Sequence, residues 1–210
     1  MLIPTVISAG YAAGLNAYGT VLLLGLLGRA GFGVEEVPEQ LMTDGVLIGA
    51  GVMYAIEFVT DKVPYLDSTW DLLHTLIRPA IGGAIGVEFA DLDQAVGTTE
   101  VLAASGGGGT ALVSHGLKSG IRLGINASPE PVSNIFASLF EDGLVALVIA
   151  LTLKEPLVAL AVVIVLLAIG IGMVLVLRKA IKRAMEKRRE KKGALFEEDD
   201  PKPPKPPGGP

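Results

Sequence analysis

The chain has 210 residues, half of them hydrophobic, with 27 glycines, two histidines and no cysteine. A mean hydropathy of +0.56 is too high for an ordinary soluble domain, and a glycine-rich apolar chain fits close helix packing in lipid. The lack of cysteine excludes disulfides and thiol chemistry, and two histidines give no basis for a His-rich metal site. The net charge of -5 conceals a segregation, because 11 of the 17 Lys and Arg lie from Arg178 onward.

The hydropathy pattern predicts an all-α polytopic membrane bundle of about six transmembrane helices over 1–177. A basic helical extension over 178–192 and a disordered proline-rich tail over 193–210 follow. The first span is expected from Thr5 to Gly28, as an uncleaved segment without a basic leader. A loop carrying Glu35 and Glu36 comes next. The uncharged run Gly45–Ile56 is 12 residues long, roughly 18 Å of helix at 1.5 Å per residue. The hydrocarbon core needs about 30 Å. The second span is therefore expected to begin near Pro38 and to draw Asp44 into the membrane.

The same arithmetic governs the spans that follow. The third starts in Ser68-Thr-Trp-Asp71, which reads as a capping box, and brings His74 and Arg78 inside on its way to Ala90. The fourth, Glu100 to Leu123, contains Gly106-Gly-Gly-Gly109 and then His115, Lys118 and Arg122. The fifth, Pro131 to Leu153, holds Glu141 and Asp142 near its middle. The sixth, Leu157 to Leu177, is uniformly apolar.

Nine Lys and Arg between Arg178 and Lys192 assign the C-terminus to the cytoplasm. With six spans the N-terminus joins it on the same side of the membrane. The basic stretch reads first as a topology-setting stop-transfer segment, and second as a site for anionic lipid. Two parts of the chain also look alike. Ser8-Ala-Gly10 lines up with Ser105-Gly-Gly107, and Asp44-Gly45 with Asp142-Gly143. Three spans per unit would make the halves inverted repeats, a transporter architecture; coincidence among small residues is the alternative.

Ionisable side chains in hydrocarbon are costly and normally face partners or water. On span four, His115, Lys118 and Arg122 fall within about 60° of arc, with Gly116, Gly120 and Gly124 nearly opposite. The polar face should point inward and the glycine face pack on a neighbour. The candidate ion or substrate pathway is Asp44, Asp71, His74, Arg78, His115, Lys118, Arg122, Glu141 and Asp142. The competing reading is a self-satisfied structural network, in which Asp71, Glu141 and Asp142 neutralise the cations. Capping for Asp71 and an interfacial first-turn position for Asp44 are further alternatives. Tyr11, Asn16 and Tyr18 read as interhelical hydrogen bonders. A helix break at Gly106, Gly107, Gly108 and Gly109 would free backbone N–H groups to attract an anion; tight backbone packing explains the same run.

Leu15-Asn-Ala-Tyr-Gly19, Asp61-Lys-Val-Pro-Tyr-Leu-Asp-Ser-Thr-Trp-Asp71 with His74-Thr-Leu-Ile-Arg-Pro79, and Ser114-His-Gly-Leu-Lys118 with Arg122-Leu-Gly-Ile-Asn126 resemble a bacterial membrane family, the domain-of-unknown-function family 4126. The resemblance covers about Pro4 to Leu175. It implies a multi-span bacterial membrane protein and supplies no activity.

Two functions from different classes are expected to compete. One is a small transporter or channel for an ion or small anionic solute. The other is a non-transporting scaffold or assembly factor. A membrane enzyme ranks third, since no nucleophile motif, metal cluster or cofactor fingerprint is present. No cofactor and no nucleic acid partner are expected. Lipid, a small ion or solute and a second copy of the chain are the candidate partners.

Overall fold

The computed structural model describes residues 1–33, 36–63, 65–126 and 131–198, with backbone only at 131 and 187–198. Glu35 and the proline-rich tail from 199 onward lie outside the described residues. Among those residues the protein is all-α, without strands. The helices are α1 (Leu2–Leu15), α2 (Ala17–Arg29), α3 (Asp44–Thr60), α4 (Leu66–Leu73), α5 (Ile77–Leu92), α6 (Thr98–Asn126), α7 (Pro131–Lys154) and α8 (Pro156–Glu198). Two stretches, Val132–Lys154 and Pro156–Glu186, are long and apolar enough to cross a membrane.

The expected first span is two helices. Asn16 is extended at φ -148 and ψ 100, ending α1, and its side-chain oxygen caps α2 by accepting from the Gly19 amide at 2.7 Å. The chain then turns back. α1 runs alongside α6, with Gly10 against Gly107 and Gly14 against Ala111. α2 runs along α7, from Asn16 beside Asp142 to Gly33 beside Leu153. Because α6 and α7 run in opposite directions, α1 and α2 form a hairpin. Both its ends lie where α5 ends: residues 1–4 lie near Asp93, Thr99 and Leu157, and Gly28 to Gly33 near Glu88, Asp91 and Leu92. This is the acidic end of the molecule.

Several expectations are corrected by this course. α8 runs alongside α6, with Gly170 on Leu117, Gly120 on Val174 and Gly124 on Leu177, so it leaves at the opposite end. The N-terminus and the basic end of α8 thus lie at opposite ends of the bundle, where six equal spans required the same end. The inverted repeat also fails geometrically. α1 and α6 run in the same direction with Gly10 on Gly107, whereas inversion requires opposite directions.

α6 is continuous through Gly106–Gly109, so of the two alternatives for the glycine run the break is excluded and close packing holds. A methyl at Gly107 would strike the Gly82 carbonyl, and one at Gly108 would lie 3.0 Å from the Pro79 oxygen. The glycines let α1 and α5 approach the α6 backbone closely, and that packing offsets their poor helix propensity.

α3 begins at Asp44 after a short 3-10 turn over Glu39–Met42, so the helix does not reach back to Pro38. Asp44 stays exposed at the acidic end, paired with Arg29. α4 begins at Leu66 without a side-chain cap, which removes the capping-box reading. The chain bends at residues 74–76 before α5.

The distribution of polarity is inverted relative to a soluble protein. The two largest fully buried side chains are Arg78 and Arg122, while Ile48, Val52, Leu76, Phe136, Phe140, Ile164 and Val176 are exposed. Contiguous exposed apolar surface of this kind marks a lipid or partner interface.

Candidate functional site

Three cations on two helices organise the interior. Arg78 opens α5, and Lys118 and Arg122 sit one turn apart on α6, so the latter two share a face. All three are buried, together with His115. Of the opposite glycine face, Gly120 and Gly124 pack on α8, while Gly116 meets nothing within 4 Å.

Carboxylates arrive from three directions. Glu57 of α3 accepts from Arg78 at 2.7 Å. Asp71 of α4 lies 2.9 Å from the same guanidinium. Asp61, at the end of α3, pairs with Lys118 at 2.7 Å, and its carbonyl accepts from Arg122 at 2.7 Å. Asp67 lies 3.4 Å from Arg122 and accepts from Asn126 at 2.9 Å. Glu141 of α7 takes two bonds from Arg122, at 3.2 and 2.6 Å, and lies 3.3 Å from Lys118. The paired geometry of this last bridge is the strong guanidinium–carboxylate arrangement.

The tip of the α1–α2 hairpin completes the cluster. The last carbonyls of a helix have no partner within it. Here Gly14 accepts from Arg78 at 3.2 Å, Leu15 from Lys118 at 2.9 Å and Tyr11 from Ser114 at 2.9 Å. Two cations therefore close the negative end of the α1 dipole. On the α2 side, Asn16 donates to Asp142 at 3.1 Å.

Both histidines are fixed by their neighbours. His74 Nδ1 lies 2.8 Å from the Trp70 carbonyl, which only accepts, so that nitrogen carries the proton. In the neutral ring Nε2 then accepts from the Tyr18 hydroxyl at 2.9 Å. His115 Nδ1 lies 2.9 Å from Arg78, which only donates, so this ring is neutral with its proton on Nε2, 3.3 Å from Thr75 Oγ1.

The core thus brings together Asp71, His74, Arg78, His115, Lys118, Arg122 and Glu141 from the sequence-derived set. Asp142 stands at its edge, bound by Asn16 rather than by Arg122 or Lys118, which Glu141 takes instead. Asp44 is remote, and the glycine run forms no backbone anion site. Sequence reasoning missed Glu57, Asp61 and Asp67 as members. The available signal was the four-residue spacing of Glu57 and Asp61, which puts both on one helix face. Asn16 and Tyr18 make the interhelical bonds expected of them.

Two facts define what the core can do chemically. Five carboxylates (Glu57, Asp61, Asp67, Asp71 and Glu141) surround three cations. Glu57 Oε2 and Asp61 Oδ1 are buried without a hydrogen-bond partner. Among the described residues no group of His, Asp and Glu is arranged to hold a metal ion.

An all-helical bundle with a charged interior, an apolar exterior and two helices long enough to cross a bilayer is of membrane-protein type. The chain belongs to the family described as Domain of unknown function (DUF4126), whose model matches residues 3–176. No curated protein and no solved structure matches it.

Proposed function

We propose that the protein is a small membrane transporter whose polar core exchanges protons. The charge imbalance of that core carries the reading. Four carboxylates (Glu57, Asp61, Asp67 and Asp71) and three cations are sealed from solvent, with Glu141 at the rim, 14% exposed, and an uncompensated buried charge is costly. Protons taken up from outside supply the balance, and intramembrane carboxylates with such partners are the material of proton relays. The hairpin adds support, since half-helix ends meeting a polar site at depth are a transporter device. Each cation is already covered by carboxylates, so an anionic cargo suits the core less well than the sequence alone suggested.

In this reading α3, α4 with α5, α6, α7 and α8 make five crossings and the α1–α2 hairpin enters without crossing. The basic end of α8 faces the cytoplasm of a bacterial cell and the acidic end faces outward.

The scaffold reading has one observation in its favour. The side chains of Arg78, Lys118 and Arg122 are 0–1% exposed, and the network they hold ties α1, α3, α4, α6 and α7 to one another. Vesicles reconstituted with the protein and loaded with a pH-sensitive dye separate the two. The transporter reading expects proton flux above that of empty vesicles, abolished in Glu57→Gln, which still inserts and still leaves Arg78 its Asp71 partner. Flux equal to that of empty vesicles would leave the scaffold.

A further inference from the structure

Asp142 differs from every carboxylate of the core. Glu57, Asp61, Asp67, Asp71 and Glu141 each have a cationic partner, whereas among the described residues none pairs with Asp142. Its Oδ1 accepts from the neutral Asn16 amide, and its Oδ2 is buried and without any partner. The nearest cation, Lys62, acts on Asp142 through space without touching it, its ammonium donating to the Phe58 carbonyl and Ser138 and lying over the Phe58 ring.

The same residue lines a partly open cleft of about 160 Å³ between α2, α3 and α7, walled by Tyr54, Leu22, Leu23, Val145 and the exposed Ala146. The cavity therefore offers one carboxylate with no cation in contact, one aromatic ring and otherwise mostly carbon. A bare metal ion wants a shell of oxygens, which this wall lacks. An anion would meet Asp142 unfavourably. A neutral apolar molecule would leave Asp142 Oδ2 without a partner. A positive charge dressed in carbon satisfies all three surfaces, because ammonium groups are attracted to aromatic faces and their substituents bury apolar wall.

We propose that this cavity is a binding site for a small organic ammonium ion, with Asp142 as counter-ion, Tyr54 as the aromatic face, and Leu22, Leu23, Val145 and Ala146 packing its carbon substituents. Asp142 adjoins Glu141, which touches both Lys118 and Arg122, so an occupant sits one residue from the ion-pair core. This deepens the transporter reading by naming a cargo class, and rests on it only for the step from binding to transport.

Binding is tested separately from flux. The purified full-length protein in detergent is titrated with tetramethylammonium chloride, followed by calorimetry and by the rise in Tm. Sodium chloride serves as the ionic-strength control and tert-butanol as the neutral analogue of similar shape. Saturable binding of tetramethylammonium, lost in Asp142→Asn and in the cavity-filling Ala146→Leu, is expected. Ala146→Leu keeps the carboxylate, so the test survives if Asp142→Asn does not fold. Absence of saturable binding, equal binding of tert-butanol, or tetramethylammonium binding unchanged in Ala146→Leu overturns the proposal. Proton flux without ammonium binding would overturn this site and leave the transporter reading standing; the reverse result would do the opposite.

Discussion

The ammonium of Lys118 on α6 lies 2.9 Å from the carbonyl of Leu15, the last residue of α1, and 2.7 Å from Asp61 at the end of α3. One side chain thus joins the hairpin tip to the carboxylates. Lys118→Met keeps length and bulk while removing the charge, leaving Asp61 unpaired by its closest cation. Breaking a buried pair on one side costs about 3–5 kcal/mol. The variant should therefore show a large fall in Tm in detergent. An unchanged Tm would mean that Arg78 and Arg122 suffice to hold the carboxylates.

The backbone contact of α1 with α6 gives a matched pair of glycine variants. Gly10→Ala directs a methyl into the Gly107 carbonyl, and overpacking of this kind costs about 1–3 kcal/mol. Gly116→Ala meets nothing within 4 Å, and should stabilise by about 0.4–1 kcal/mol through the unfolded chain. Thermal unfolding of both should move Tm in opposite directions. Equal shifts would mean that α1 does not lie on α6 at Gly10.

Asn16 does two jobs with its two side-chain atoms: the oxygen caps α2 and the nitrogen holds Asp142. Asn16→Asp preserves the cap acceptor and removes the donor, placing a second carboxylate beside the first. Asn16→Ala removes both, and loss of a cap alone costs about 1 kcal/mol. Asn16→Asp should unfold earlier than wild type at neutral pH and recover as the pH falls and one carboxylate gains a proton. Asn16→Ala should show no such recovery. Tm measured against pH decides between them.

The course of the chain predicts sidedness. Cysteines introduced at Leu2 and Gly31 should be labelled from one side of a vesicle by an impermeant maleimide, and a cysteine at Glu186 from the other. Labelling of Leu2 and Gly31 from opposite sides would restore a single crossing for the first thirty residues.

Much of this was legible before the structure. α6, α7 and α8 follow their expected ranges, α7 and α8 because each carries a long apolar stretch, and the inward face of His115, Lys118 and Arg122 on α6 follows from helical spacing. The hairpin was not legible. Thr5 to Gly28 is apolar throughout, and a single extended asparagine leaves almost no mark in hydropathy. Asp61 and Asp67 were hidden for a different reason: they lie between the expected second and third spans, although both carboxylates turn inward. At the glycine run the sequence left a break and close backbone packing as alternatives, and the packing on α1 and α5 is what holds the helix together.

The hairpin tip also sets an order of events during synthesis. The carbonyl of Gly14 waits for an arginine 64 residues later, that of Leu15 for a lysine 103 residues later, and Asn16 for an aspartate 126 residues later. Helices made early are therefore completed by helices made much later. Until α5 and α6 have been made, the hairpin tip carries backbone carbonyls without their partners, which lipid cannot supply, and until α7 has been made the Asn16 amide lacks its own. They must be sheltered by water, by the insertion machinery or by a partner, and only then close into the bundle. Truncated chains ending before Lys118 should accordingly leave this segment open to protease, while chains reaching Lys154 should protect it.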